Sequence, residues 1–461
     1  MSSLDNVLKR IDADLESSLQ RLFALLRIQS VSTDSAFAKD CIAAAEHLKA
    51  DLASLGFTAS VEKSPTGGHP LVLGHAPKPG APHVLFYGHY DVQPVDPLDQ
   101  WEVPPFEPRL KEIAPGRKVI LARGACDDKG QVMTFLEALR AWKAETGGFP
   151  IGVTVLLEGE EECGSAGITR YLVENRDKLK ADMALVCDTG MWDRDTPCIT
   201  ASLRGIVYEE IIVRCADRDL HSGLFGGAAR NPIHVLAGIC AAFHDENGRI
   251  TIPGFYDGVH EPTNAQKAAW ADLGLAEEGF LGQVGLKHSA GEKGRMLIEQ
   301  IQSRPTCDVN GIWGGYTGEG TKTVIAGEAQ AKVSFRLVGD QNPDKIRDAF
   351  HAFVRARVPD DCSVSFVDHQ GSRAIALPVD SPALVKAGKA LEAEWGRKPA
   401  VIGSGGSVPI VGDFKNTLGL DSLLVGFGLD DDRVHSPNEK YDLSSFHKGT
   451  RSWARILEAL K

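Results

Sequence analysis

Apolar positions along this chain recur in two rhythms, and the change from one to the other divides it. Leu4, Leu8, Ile11, Leu15, Leu22 and Leu26 fall at helical spacing and predict an amphipathic helix at the start. From residue 36 to 203, helix-like and strand-like segments alternate: a helix ending near Gly56, a strand at 83–88, a helix over 129–143, and strands at 151–157 and 183–187. The strands VLFYG, VTVLL and MALVC are nearly unbroken apolar runs, the pattern of a sheet whose two faces are both covered by helices.

Near 203 the texture changes. IVYEEIIVR alternates like a half-buried strand, a helix follows over about 231–243, and TVIAGEAQAKVSFRLV reads as one long strand. A helix at 343–356 and the short strand SVSFVD complete a βαββαβ-like grammar, enlarged by an irregular Gly-containing stretch at about 245–310. From 376 the α/β pattern resumes with a helix at 381–396, a strand at 422–427 and a closing helix near 442–460. The expected architecture is α/β: a discontinuous catalytic domain formed by 1–203 and 376–461, with a mixed, largely parallel sheet covered by helices. A ferredoxin-like α+β lid or dimerisation domain is expected to be inserted at 204–375.

Length agrees with this division, since 461 residues at about 150 per domain suggest two or three lobes. Composition narrows the function class. No apolar run approaches the roughly 18 residues of a membrane span, and the first 30 residues lack a basic segment followed by an apolar core, so a cytoplasmic protein is expected. Nine cysteines with no CxxC pair favour reduced thiols over a disulfide framework. A net charge of −12 without a block of lysine and arginine argues against nucleic acid as a partner.

Candidate chemistry gathers where the apolar strands end. VLFYG leads to His89, VTVLLEG to Glu160, Glu161 and Glu162, MALVC to Asp188, and LLVGFGLDDD to His435. In an open α/β sheet, ligands collect beyond the carboxyl ends of the strands, so these segments should share one mouth. Each acid alone is an ordinary solvated strand end; together with two histidines they suggest a metal centre. Asp91, two residues after His89, returns to the same face and could hold the second imidazole nitrogen. In RGACDDKG, Asp128 suits a helix cap and Asp127 is the better ligand. Of three adjacent acids, one can bind a cation while its neighbour takes a proton from bound water.

Charge counting favours two ions: Asp127, Glu162 and Asp188 bring three negative charges, which two divalent cations and a bridging hydroxide leave close to neutral. Oxygen and imidazole donors suit Zn²⁺ or Mn²⁺ alike. The loop GSGGS at 403–407 is either a flexible turn or a nest of amides for a carboxylate, and it lacks a phosphate-loop ending. His221 in HSGLF reads as structural or catalytic. Cys126, Cys163 and Cys187, each beside a candidate ligand, read as core packing.

The motifs YGHYDVQP, WEVPPFEP, RGACDDKG, EGEEECGS, DLHSGLFGG, GTKTVIAG, SFRLV, GSGGSVPIV and HSPNEKY resemble those of the M20 metallopeptidases over nearly the whole chain, most closely the cytosolic nonspecific dipeptidase and carnosinase branch. The resemblance implies that Asp127 bridges two metals, with His89 and Asp188 completing one shell and Glu162 and His435 the other. Glu161 would be the general base, and Asp91 a supporting catalytic residue. His221 would come from the partner subunit of a homodimer to steady the oxyanion. Thr323, Arg336, His369, Gly406 and Ser407 match positions that contact substrate or its carboxylate, and a cis peptide is implied between Asp127 and Asp128. The implied activity is hydrolysis of dipeptides or short peptides with a free C-terminal carboxylate. An N-acyl or N-carbamoyl amino-acid hydrolase on the same scaffold is the alternative, and a non-catalytic binding protein a more distant one.

Overall fold

The structure, a computed structural model, describes residues 2–369, 371–405 and 408–461. Chain contacts divide it into two units: Met1–Ala201 with Leu377–Ile402 and Asp413–Lys461, and Ser202–Ala376 with Gly403–Gly412. Residues 403–405 and 408–412, expected with 376–461, group with the second unit.

The first unit is built on a mixed sheet. Its strands run in the order Thr58–Glu62, Leu71–Ala76, Gly152–Glu158, His83–His89, Met183–Val186, Ser422–Leu424 and Cys198–Leu203. The four in the middle, from Gly152–Glu158 to Ser422–Leu424, are mutually parallel, so their carboxyl ends open on one edge. Every residue of Gly152–Glu158 is buried, which is why it reads as a continuous apolar run. Two long helices pack here, Lys129–Thr146 and Leu443–Leu460. The rings of Phe86 and Phe135 stack at 3.7 Å, and Trp453 meets both edge-on at 5.9 and 5.4 Å. At the N-terminus two helices replace the single one expected, Ser3–Ala13 and Leu15–Leu26. Asp14 between them leaves helical geometry at ψ 5° and accepts from Arg10 Nε at 2.6 Å.

A small antiparallel sheet carries the chain into the candidate site. Its strands are Arg109–Ala114, Arg117–Leu121 and Lys440–Asp442, with Tyr441 opposite Ile120. After it, the turn at 122–128 and the first turn of the helix that follows each require a glycine. Gly124 has φ +77°, and a Cβ on Gly130 would lie 1.8 Å from the Ala125 carbonyl oxygen.

The second unit has a four-stranded antiparallel sheet in the order Thr306–Gly314, Glu328–Leu337, Gly205–Arg214, Ser363–Asp368. With the helices Pro232–Ala241 and Pro343–Arg355 this is the ferredoxin-like βαββαβ sequence. Its core lies on one face, where Val207, Ile211, Val213, Ala331, Val333 and Phe335 pack with Leu236, Ile239, Phe350 and Phe353.

Three features differ from the sequence reading. The strand Thr306–Gly314 lies at the end of the stretch taken as irregular; it is mostly exposed and has a bulge between Val309 and Gly311, so it lacks clean alternation. The long strand at 323–338 is two, because Val324–Ile325 pairs with Leu220–His221 while Glu328–Leu337 joins the main sheet. Cys215 and Cys362 form a disulfide, where reduced thiols were expected. They lie one step beyond the registered pair Arg214 and Ser363, a neighbourhood that residues 147 apart in sequence do not reveal. Cys126 and Cys187 are buried thiols as expected, but Cys163 is exposed.

Candidate metal centre

The parallel strands deliver their ligands in register. His89 closes one strand opposite Glu158 of the next, whose chain continues directly into the 3₁₀ turn Glu161–Cys163. Asp188 follows Met183–Val186, and His435 lies on the loop after Ser422–Leu424, at φ +62°. Such a left-handed backbone at a histidine is costly and persists only where its surroundings hold it. Asp127 arrives from the small sheet, and its peptide to Asp128 is cis, as the resemblance implies.

Around Asp127 the ligand atoms converge in two groups that share it: His89, Asp127 and Asp188, and Asp127, Glu162 and His435, the donor atoms of each group lying within 4.8 Å of one another. Asp127 Oδ1 is 3.0 Å from His89 Nε2, and Oδ2 is 2.9 Å from His435 Nε2. Glu162 Oε2 is 3.1 Å from the same His435 nitrogen, and Asp188 Oδ2 is 3.9 Å from His89 Nε2.

Surrounding groups set the orientation of each ligand. His89 Nδ1 lies 3.0 Å from the Asp91 carbonyl oxygen, closer than the Asp91 carboxylate at 3.4 Å. The support expected from that carboxylate therefore comes first from the backbone, which fixes Nδ1 as the protonated nitrogen and leaves Nε2 for a cation. The Asp91 carboxylate instead accepts the amides of Glu161 at 3.3 Å and Glu162 at 3.0 Å, tying the acidic turn to the histidine strand. Gln93 Nε2 donates to Glu162 Oε2 at 2.8 Å, and Asp128 Oδ2 accepts the His89 amide at 3.1 Å. Asp128 makes no side-chain cap of its helix. Gln93 was not singled out from the sequence, although it stands in the quoted YGHYDVQP.

Electrostatics match a cation site. Burial favours a protonated Asp127, but hydrogen bonds from His435 and His89 outweigh it and hold the carboxyl well below the usual range. Hydrogen bonds to Asp127 and Glu162 push His435 up to about 10. Burial opposes charge on His89, yet its bonds to Asp127 and Asp91 raise it well above an ordinary imidazole. Asp188 is pushed up to about 7, first by burial and then by the charge of Asp127. Burial likewise raises Glu161, with Glu162 and Asp127 adding repulsion that His89 partly offsets. Four carboxylates thus face two imidazoles, and oxygen and nitrogen donors in this density suit divalent cations.

The remaining candidates belong to the second unit. His221 is exposed and caps the short helix Ser222–Phe225 through Nδ1, 3.0 Å from the Gly223 amide. Thr323, also exposed, adjoins it, its carbonyl accepting from Ser222 N at 3.0 Å. Arg336 is half-buried on the sheet face opposite the core, registered with Ile206. His369 packs edge-on against Tyr208, two residues along on that face, at 5.2 Å. Gly406 and Ser407 lie outside the described residues, while neighbouring Gly405 accepts Arg204 Nε through its carbonyl at 3.0 Å.

No helix among the described residues is long and apolar enough to cross a membrane. The family model of peptidase family M20/M25/M40 matches residues 85–459. The chain is 31% identical to the Cys-Gly metallodipeptidase dug1 of Schizosaccharomyces pombe, over 99% of this chain and 98% of that protein. It is 30% identical to the human Beta-Ala-His dipeptidase, over 83% and 75%. Among solved structures, the di-peptidase Dug1p of Saccharomyces cerevisiae matches with a TM-score of 0.77 at 28% identity, covering 100% of this chain and 99% of that one. The family match spans most of the chain and the metallodipeptidase relatives nearly all of it: the chain belongs to peptidase family M20/M25/M40 and is a metal-dependent dipeptidase.

Proposed function

We propose that this dipeptidase works with two divalent ions, Zn²⁺ or Mn²⁺, and that the observation carrying this reading is the pair of ligand groups joined at Asp127. His89 and Asp188 would hold one ion, Glu162 and His435 the other, with Asp127 between them. When bound, the ions activate a shared water and polarise the scissile carbonyl. Glu161 takes the proton of that water and passes it to the leaving amine, a role that suits a carboxyl raised by burial. Asp91 keeps Glu161 and Glu162 in place through their amides. Arg336 binds the substrate's C-terminal carboxylate, and Thr323, His369, Gly406 and Ser407 contact the substrate or that carboxylate. Fixing that carboxylate limits the enzyme to short substrates.

In this reading the enzyme is a homodimer, and His221 of one subunit steadies the oxyanion formed in the other. Exposed Val309, Ile312 and Trp313 on the edge strand Thr306–Gly314 support a partner surface, since an uncovered edge bearing large apolar side chains invites pairing. The domain bounds proposed for the catalytic and inserted parts are 1–203 with 376–461, and 204–375. A cytoplasmic setting is part of the reading; the free thiols Cys41, Cys126, Cys187, Cys198 and Cys307 speak for it and the Cys215–Cys362 disulfide against it.

The test is to strip the protein with a chelator, restore Zn²⁺ or Mn²⁺ separately, and assay dipeptides beside tripeptides and N-acyl amino acids. Recovery on dipeptides at two ions per subunit is expected. Full activity at one ion per subunit would overturn the two-ion reading.

A further inference from the structure

Four residues after His435, Glu439 is fully buried, and no step above uses it. The ladder of Lys440–Asp442 with Arg117–Leu121 sets it beside the turn that carries Asp127, and the Ala122 amide donates to the Glu439 carbonyl at 3.2 Å. Its carboxylate then gathers four donors from that one turn. Oε1 accepts the amides of Cys126 at 2.9 Å and Asp127 at 3.0 Å; Oε2 accepts the Gly124 amide at 2.9 Å and Arg123 Nη1 at 2.8 Å. Arg123, only 1% exposed, also donates Nη2 to the Pro94 carbonyl at 2.9 Å, which reaches the segment of His89, Asp91 and Gln93.

We propose that Glu439 is a positioning residue for the metal centre, holding the backbone of Asp127 in register with His435 so that one carboxylate can serve both ligand groups. The inference rests on the metal-centre reading above. Asp127 has to present each oxygen to a different histidine at about the same distance, and a rotation of its backbone would spoil both contacts together. A neutral turn could be held by one acceptor. In this one four N–H groups converge inside the protein, and an acceptor with two oxygens, each taking two of them, satisfies all four. Gln at this position offers one oxygen and turns an N–H₂ toward donors that are then unpaired.

The experiment titrates Zn²⁺ into the metal-free full-length chain by calorimetry, comparing wild type with Glu439→Gln, Glu439→Asp and Glu137→Gln. Glu137 is equally a buried acceptor, taking Ser18 Oγ at 2.9 Å and Arg21 Nη2 at 2.6 Å, but it holds no ligand segment. Partners that orient metal ligands typically contribute 10–100-fold in affinity, so Glu439→Gln should bind Zn²⁺ about 10–100-fold more weakly. Glu439→Asp, which keeps the charge but is shorter, should fall between. Glu137→Gln should lose thermal stability yet keep wild-type affinity. Wild-type affinity in Glu439→Gln overturns the proposal, as does an equal loss in Glu137→Gln. If Glu439→Gln does not fold, the affinity of Glu439→Asp decides in its place, an unchanged value overturning the proposal. A wild-type chain that binds no Zn²⁺ would instead overturn the metal-centre reading itself, and this one with it.

Discussion

Two regions of the molecule hold their functional side chains in opposite ways. In the first unit the candidate ligand His89 is inaccessible to solvent and Asp127 is 9% exposed; the His89 ring meets the Asp91 carbonyl and the Asp127 amide donates to Glu439 Oε1, and of this cluster His435 stands exposed. In the second unit His221, Thr323 and His369 are exposed, standing on a two-residue strand, the segment beside it and a strand end. Binding a cation needs several charges held close together before it arrives, which only a buried, hydrogen-bonded framework can do. Recognising a small substrate leaves side chains free to engage when it binds. Substitutions should therefore separate cleanly, altering metal binding in one region and turnover or KM in the other.

The sharpest test of that separation lies at Glu161, the proposed base beside the proposed ligand Glu162. Glu161→Gln should lower kcat by about 10²–10⁴-fold, the usual contribution of a general base, while the metal content by elemental analysis stays at wild type. Loss of metal together with activity would merge Glu161 with the ligands. His221→Ala comes next: removing one oxyanion donor costs about 10²–10³-fold in kcat, and loss of an exposed side chain that caps only the short helix Ser222–Phe225 should lower the melting temperature little. Mixing Glu161→Gln and His221→Ala subunits should restore about a quarter of wild-type activity if His221 acts across a two-fold dimer, since half the dimers are hybrids with one intact site. No recovery after subunit exchange would confine His221 to its own chain.

A smaller effect is expected at Arg336. Arg336→Met removes a charged hydrogen bond of about 1.5–3 kcal/mol, so KM for dipeptides should rise about 10–100-fold with kcat less affected. The mildest prediction concerns protons. In the metal-free protein His435 titrates at about 10, so it is charged at pH 7, and its carboxylate contacts stabilise that form below the ordinary imidazole value. This contribution is lost as pH rises through about 10, and it is modest because the side chain is 53% exposed. A cation needs the neutral ring, so metal uptake at pH 7 should release protons, seen as a binding enthalpy that changes with the ionisation heat of the buffer. A buffer-independent enthalpy would remove His435 from the ligands.

Much of the α/β fold was legible because its central strands are buried on both faces and so read as apolar runs. The carboxyl ends of those runs point to His89, Asp188 and the acids at 160–162 in the sequence alone. The second unit was less legible. Its exposed, bulged edge strand Thr306–Gly314 carries no clear alternation, and the break at 326–327 depends on a pairing with Leu220–His221 made across about a hundred residues.

By itself the sequence determined the α/β order of elements, the strand-end ligands and the family motifs, all of which are local patterns of burial and residue type. Only the tertiary structure decided that Asp91 steadies the acidic turn through its amides, that Cys215 meets Cys362, and that Glu439 gathers four donors beneath the Asp127 turn. Each of these is a contact between segments far apart in the chain. Hydrogen-bond partners act over a few ångströms, and a linear pattern carries no record of which distant groups folding will bring that close.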